Sequence, residues 1–421
     1  MKKRKRHTGW IVVLCMAAAI AVIAGIYSRF GGFGTGDCAD TEEFAKYAAS
    51  VSELTVPDEA QIVALGEATH GNKEFQKLRL DVFQVLVEKY GVRAFALEGD
   101  FGGCEAINRY IHGADGTAAE ALSATGFAIY RTEEMENLVE WMRNYNASAA
   151  QGDDLRFYGF DMEQRAYTYR YLLEAVHKAN IEAAEFEKMW NSEAGTYADG
   201  YTTEQRTEII SAVKEQLPPD DVQAIHFADI LLQNIELGKY IDDSSELNAQ
   251  RDRMMAENTL WILQQEQTRG NSRIMISGHN NHIMQCENAG TPVLGSLLAE
   301  NLGDGYFAIG TDFYKSVCNL PKPYTGKRIT HTFYSYDPLA KASKKCGFDV
   351  SFLDFSKVPE GSLLTKHLAN SISMGSLGES YSVLMNFVPR SYRVQRIPQD
   401  AYDAMIFVAN AIPIEIESLN K

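Results

Sequence analysis

The chain has 421 residues, 45% of them hydrophobic, and a formal net charge of -16. That apolar share is ordinary for a globular protein, and the length admits two or three average domains or one large α/β domain with an insertion. Lys2, Lys3, Arg4, Lys5 and Arg6 carry five positive charges, so the remainder holds -21 (-16 minus 5), a balance that argues against nucleic acid or an anionic lipid surface as a partner of the body.

In chain order, the basic run precedes an almost unbroken apolar stretch of 18 residues, 10–27. Eighteen is the boundary between a signal-peptide core and a membrane-spanning helix. Ala24, with Val22 two residues before it, suits signal cleavage; an uncleaved single-helix anchor is the other expectation. In either case the charge order keeps the tail inside and exports the body, which is then secreted or held outside the cell membrane. The glycines between 31 and 36 read as a flexible linker. Residues 1–36 are thus expected to be a targeting or anchoring segment, and 37–421 the functional domain. Six cysteines, at 15, 38, 104, 286, 318 and 346, follow no metal-finger spacing. Cys318 and Cys346 are the pair the sequence leaves open for a disulfide.

The body starts with a helix near residues 41–47. Short apolar runs at 62–66, 92–98, 155–160 and 273–277 read as strands. Helices are expected at 73–90, 103–112 and 132–148, and a helical pattern runs from 164 to about 268. Ile225, Ala228, Leu231, Leu232 and Ile235 recur at three- and four-residue steps within it. Further strands are expected at 305–313, 327–335, 349–354 and near 404–408. Strands alternating with helices predict an α/β fold with a mainly parallel central sheet flanked by helices. A helical stretch of about 100 residues exceeds a single crossover, and its part from about 184 to 245 reads as a helical cap.

Four polar clusters follow the four runs. They are Gly66-Glu67-Ala68-Thr69-His70-Gly71, Glu98-Gly99-Asp100, Asp161, and His279-Asn280-Asn281-His282. In parallel α/β sheets the ligand crevice lies outside the carboxyl ends of the strands, so these groups are candidates for one site. A carboxylate such as Glu67 can orient a histidine such as His70 and raise its basicity, making it a general base toward water. Glu67 as a helix cap and His70 as a loop histidine are the plainer alternative. Glu98 closes a buried strand and needs a partner there, whereas Asp100 reads as a helix cap. His279 and His282 suit polarisation of a carbonyl, stabilisation of an oxyanion, or metal binding. The H-x-x-x-H helical spacing of zincins is absent. Arg79, on the first helix, suits a carboxylate of the site or a solvated face. Arg251-Asp252-Arg253 reads as a helical charge patch, and Thr132 as a cap after Arg131.

Taken together these residues resemble the erythromycin esterase family. The resemblance is carried by Val-Ala-Leu-Gly-Glu-Ala-Thr-His-Gly at 63–71, Arg79, Ala-Leu-Glu-Gly-Asp at 96–100 and Asn-Arg-Tyr-Ile at 108–111. Arg-Thr-Glu-Glu at 131–134, Tyr-Gly-Phe-Asp at 158–161, Arg-Asp-Arg-Met-Met-Ala-Glu-Asn at 251–258 and Gly-His-Asn-Asn-His-Ile at 278–283 continue it. It spans about residues 45–415. Tyr130 departs from the pattern, which has tryptophan there, as do Met162 and Glu163 after the strand aspartate. The resemblance implies hydrolysis of an ester, a macrolide lactone among the options, by histidine-activated water, with no covalent intermediate, cofactor or metal. It makes His70 the base and Glu67 its orienting partner, with Arg79, Glu98, His279 and His282 completing the catalytic set. Asp161, Arg131, Arg251 and Asn280 are then expected at the substrate. No G-x-S-x-G elbow occurs, as suits a water nucleophile. Two alternatives stand beside this reading. One is a metal-dependent hydrolase of an envelope or glycan ester, with Glu67, His70, Glu98 and His279 as ligands. The other is a non-catalytic envelope binding protein. Beyond a small-molecule ester no partner is expected, the membrane is met only through the N-terminal segment, and nothing fixes an oligomeric state.

Overall fold

The computed structural model describes residues 2–29 and 37–417. The expected linker at 31–36 lies outside them. Lys2–Arg29 form one helix whose apolar side chains from Trp10 to Ile23 are largely exposed. Among the described residues no helix is long and apolar enough to cross a membrane, so the spanning-anchor expectation finds no support there. The described chain divides into two compact units.

The larger unit contains Leu54–Glu67 and Gln76–Gly310. Its strands are β1 (Ile62–Glu67), β2 (Ala94–Asp100), β3 (Arg156–Asp161), β4 (Ile274–His279) and the start of β5 (Tyr306–Pro321). They lie in the order β3-β2-β4-β1-β5 and run parallel throughout. Every residue of β1, β2 and β4 is buried. Strands covered on both faces need apolar side chains on both sides, which explains their unbroken apolar runs. The helices include α1 (Lys73–Tyr90), α2 (Phe101–Ile111), α3 (Glu133–Asn146), α4 (Ala166–Lys178), α5 (Thr203–Gln216), α6 (Val222–Leu237) and α7 (Ser244–Thr268). Phe83 on α1 meets Phe95 on β2 with ring centroids 5.4 Å apart, and Phe95 meets Phe157 on β3 at 5.3 Å. These edge and tilted contacts help bind helix to sheet.

Most strand boundaries fall within two residues of expectation. β2 extends to Asp100 and β5 to Pro321, beyond the expected ends. The stretch from 164 to 268 consists of helices joined by turns, with a small antiparallel hairpin pairing Trp190–Asn191 with Thr196–Tyr197. Phe186, Tyr197 and Phe227 are buried within it. Tyr169 stacks on Phe186 at 4.7 Å and on Trp190 at 4.2 Å. These aromatics therefore pack the helical segment itself.

The smaller unit contains Ala68–Phe75 and Thr311–Ile414 with the described residues before Leu54. It continues β5 and adds β6 (Arg328–Tyr334), β7 (Val350–Asp354) and β8 (Ala404–Ala411). β6 runs antiparallel to β5, and β7 antiparallel to β8. A second pair joins Ile372–Gly375 to Arg393–Arg396. Cys318 and Cys346 are both free thiols. The disulfide that the sequence left open is not formed. Cys318 lies buried against Thr69 Oγ1 at 2.8 Å, and Cys346 Sγ meets the Thr41 carbonyl.

Candidate active site

The polar clusters stand at the carboxyl ends of β1, β2, β3 and β4. β1 and β4 pair in register, with Gly66 opposite Gly278 and Glu67 opposite His279. Both glycines are required by close packing. A Cβ on Gly66 would stand 2.1 Å from Asn280 Oδ1, and one on Gly278 2.9 Å from Glu98 Oε2. Gly278 thereby lets the Glu98 carboxylate approach the β4 backbone, where it accepts the His279 N–H at 2.7 Å.

Glu67 and Arg79 form a buried ion pair. Arg79 Nη2 is 2.8 Å from Glu67 Oε2, and the two side chains are 1% and 2% exposed. Around them, Gln76 Nε2 reaches Glu67 Oε1 at 3.5 Å, Arg79 Nη1 donates to Gln76 Oε1, and Arg79 Nε donates to Ser277 Oγ at 3.1 Å. The Tyr130 ring lies 5.3 Å from the guanidinium. A buried charge is tolerable only when paired and hydrogen-bonded in this way. Of the two expectations for Arg79, the carboxylate partner is what the structure holds, and the solvated face is overturned.

The second group centres on Arg251 of α7. Its Nη2 lies 2.5 Å from Asp161 Oδ2 and 3.1 Å from Glu98 Oε1. Asp161 Oδ1 accepts the Met162 N–H at 2.7 Å. Only Arg253 of the expected charge patch is exposed; Arg251 faces inward and Asp252 is buried. That expectation is corrected for both. His282 joins the group, with Nδ1 2.7 Å from Asp252 Oδ1 and Nε2 3.5 Å from Glu98 Oε1. Arg251 Nη1 is 3.4 Å from His282 Nε2. Burial would lower the His282 pKa, but the Glu98 and Asp252 carboxylates outweigh it and leave the value above the ordinary 6.5. The two carboxylates thus favour the charged ring more than water does for a free histidine.

His279 differs. Its Nδ1 accepts the Asn281 backbone N–H at 3.2 Å, which in the neutral ring leaves the proton on Nε2. Such a ring is a donor on its other face, suited to an oxyanion rather than to taking a proton. Asn280 is buried beside Gly66. Asp100 caps α2 by accepting the Gly103 N–H at 2.6 Å. Its burial, relieved by that bond and reinforced by Asp161, pushes its pKa up to about 8. Arg131 makes no side-chain hydrogen bond or ion pair with either group; its side chain is half-buried, and its carbonyl accepts the Glu417 N–H at 2.8 Å.

His70 belongs to the smaller unit's Ala68–Phe75 segment and is half-buried. That segment is tightly fixed. Ala68 N donates to Thr311 Oγ1 at 2.9 Å, and the Gly71 carbonyl accepts from Asn319 N at 3.1 Å and Ile414 N at 3.0 Å. Asn72 Nδ2 reaches the Val317 and Ile412 carbonyls, each at 2.9 Å. A Cβ on Gly71 would meet Cys318 Sγ at 2.3 Å, so only glycine fits. His70 is carried on a rigid turn three residues beyond Glu67.

Sequence reasoning missed Gln76, Ser277, Tyr130 and Asp252. Gln76 precedes Arg79 by one helical step, and Ser277 is the one hydroxyl in an otherwise apolar run, so both left a local signal. Tyr130 donates to the Glu98 backbone carbonyl at 2.6 Å; its only signal was its departure from the family pattern. Asp252 left none, because His282 is 30 residues away in the chain.

The erythromycin esterase family pattern matches residues 87–411. The chain is 26% identical over 357 residues to an erythromycin esterase type II of Escherichia coli, covering 72% of this chain and 82% of that protein. Among solved structures, a succinoglycan biosynthesis protein superposes with a TM-score of 0.74 at 20% identity, covering 90% of this chain and 98% of that one. An erythromycin esterase mutant in its open conformation gives 0.55 at 16% identity, covering 86% and 93%. At these identities the two structures speak for the shared fold.

Proposed function

The chain belongs to the erythromycin esterase family, a family of hydrolases, and from that premise we propose that it cleaves a carboxylic ester with a histidine-activated water. The carrying observation is the Glu98 carboxylate, which joins the His279 backbone, Arg251 and His282 at the ends of adjoining strands. A small-molecule ester is the substrate class, and a macrolide lactone is the first to test.

In this reading His70 takes a proton from water, and the oxygen adds to the acyl carbon. The former carbonyl oxygen gains the charge and is met by the His279 Nε2–H. Collapse breaks the ester C–O bond, and the leaving alkoxide takes a proton from the His282 imidazolium, whose charge Asp252 and Glu98 sustain. The proton on His70 then returns through solvent to His282. Glu67 and Arg79 form a fixed charge pair at the end of β1. Asp161 and Arg251, with Asn280 and Arg131, are assigned to substrate contact.

The cap assignment to about 184–245 rests on the position of α6. Asn234 Nδ2 donates to the Met162 and Glu163 carbonyls at 2.8 and 3.0 Å, which places α6 beside the carboxyl end of β3. The body is assigned an exported location from the N-terminal charge order, and recovery solely in the cytosolic fraction would contradict that.

The test of the function is an assay of residues 37–421 against erythromycin and simpler esters, read as acid released per enzyme. Turnover of at least one ester supports the reading. Saturable ligand binding with no turnover across the panel would favour a binding protein instead.

A further inference from the structure

The chain carries 56 acidic and 40 basic residues, so acid is in excess. Two arginines nonetheless share one cavity with no carboxylate between them. The cavity has a volume of about 290 Å³ and is lined by Arg165, Arg206, Lys239, Thr203, Asn234 and Tyr197, among others. All of these lie in the larger unit, between the start of α4, the hairpin, α5 and α6.

The Arg206 side chain makes no hydrogen bond or ion pair with any described residue; its guanidinium carbon lies 4.9 Å from the Tyr197 ring centroid. Arg165 lies 5.5 Å from the same ring and donates only to Thr196 Oγ1, at 2.7 Å. The Nε atoms of both arginines are buried without an acceptor in the fold. Lys239 is the third cation, and its ammonium is paired with Glu236 at 2.5 Å. Glu204 also acts on it from a distance. Neither acid is in salt-bridge contact with the two arginines. The first turn of α5 adds Thr203 to the lining; there Thr202 Oγ1 already accepts the Gln205 N–H, so this end offers the dipole of a 14-residue helix and the N–H groups before Gln205.

Holding two guanidinium groups around one aromatic ring costs mutual repulsion, and cation–π contact offsets only part of it. An oxyanion removes that cost. The guanidinium fork matches phosphate geometry through two parallel hydrogen bonds. We propose that this cavity is a binding site for a phosphate-type oxyanion, held by Arg165, Arg206 and the amino end of α5. The site is separate from the Glu98 group and stands whether or not the chain hydrolyses esters. Its ligand is either free phosphate or the phosphate group of a larger molecule. Asn234, which lines the cavity, is the residue that also holds the Met162 and Glu163 carbonyls, so an occupant touches the element fixed to the end of β3.

The experiment is calorimetric titration of the full chain with inorganic phosphate, sulfate and acetate at matched ionic strength in chloride. The inference expects saturable binding of one phosphate per chain with a dissociation constant of about 1 mM or below. Arg206→Gln, which removes no hydrogen bond within the fold, should weaken it about tenfold or more, as expected for a bond to a charged group. Arg206→Lys, keeping the charge without the fork, should fall between the two. A phosphate monoester binding tighter than inorganic phosphate identifies a larger ligand, and equal affinity identifies the free ion. Absence of saturable heat up to about 10 mM phosphate, acetate binding in preference to phosphate, or unchanged affinity in a folded Arg206→Gln chain would overturn the inference.

Discussion

His282 Nδ1 and Asp252 Oδ1 lie 2.7 Å apart, and the same oxygen accepts the Leu294 backbone N–H at 3.0 Å. Asp252 is therefore fixed by the backbone and in turn fixes the histidine ring. Its charge, with that of Glu98, keeps the His282 pKa above 6.5 against the opposing effect of burial. A basic group raised in the folded state stabilises the fold fully below its unfolded value, and that contribution is lost as pH rises through the folded value. Asp252→Asn should lower the His282 titration point, read from its ring signals by NMR, and flatten stability above pH 6.5. An unshifted titration would show that Asp252 does not control this ring.

Arg79 compensates a carboxylate that is 2% exposed. Arg79→Leu leaves that buried charge without its counter-ion, which should cost roughly 3–5 kcal/mol of stability. Denaturant unfolding of the variant measures it. A loss below about 1 kcal/mol, the range of exposed pairs, would mean that Glu67 finds other compensation.

Asp312 and Asp337 are both buried in the smaller unit, where the Asp337 charge further raises the pKa of Asp312. Burial pushes Asp337 from 3.8 up to about 6, against the bonds it accepts from Leu339 N and Ala340 N. A carboxyl raised on folding favours the protonated fold, so its contribution is fully present below 3.8 and is lost as pH rises to about 6. Asp337→Asn keeps the cap on Pro338–Lys345 and removes the charge. Its melting temperature should exceed that of the parent at pH 7 and approach it at pH 4. A variant destabilised equally at both pH values would contradict this assignment.

Among the described residues, no three His, Cys, Asp or Glu side chains converge closely enough to hold a metal ion. Glu98, one of the four ligands of the metal-dependent alternative, is engaged by His279 N and Arg251. Treatment with a chelator should leave ester turnover within about three-fold of the untreated rate, a change worth less than 1 kcal/mol. Loss of activity restored by a stoichiometric divalent ion would establish the metal-dependent alternative.

The sheet was legible because its strands are buried on both faces and so read as plain apolar runs between turns. β1, β2, β3 and β4 are all legible in this way, and the polar residue following each run marks the end at which the candidate site lies. Partners across the sheet were less legible. Arg251 is expected at the substrate from resemblance, while its place in a helical charge run reads as a surface patch; only the fold turns that residue toward Asp161. Asp252 and Tyr130 engage groups 30 and 32 positions away, a relation no local pattern encodes. The small hairpin at Trp190–Tyr197 was hidden because each of its strands has two residues, too few for any period to show.

The central claim is that His70, on its rigid glycine-bounded turn, is the base that activates water. The measurement is the rate of ester cleavage by the parent chain and by His70→Ala, under single-turnover conditions with the best substrate of the panel. His70 is half-buried, so the variant should keep the parental fold by circular dichroism. Its rate should fall by about 10²–10⁴-fold, the usual worth of a general base. A folded His70→Ala chain that cleaves the ester at close to the parental rate would contradict the account and move the base elsewhere.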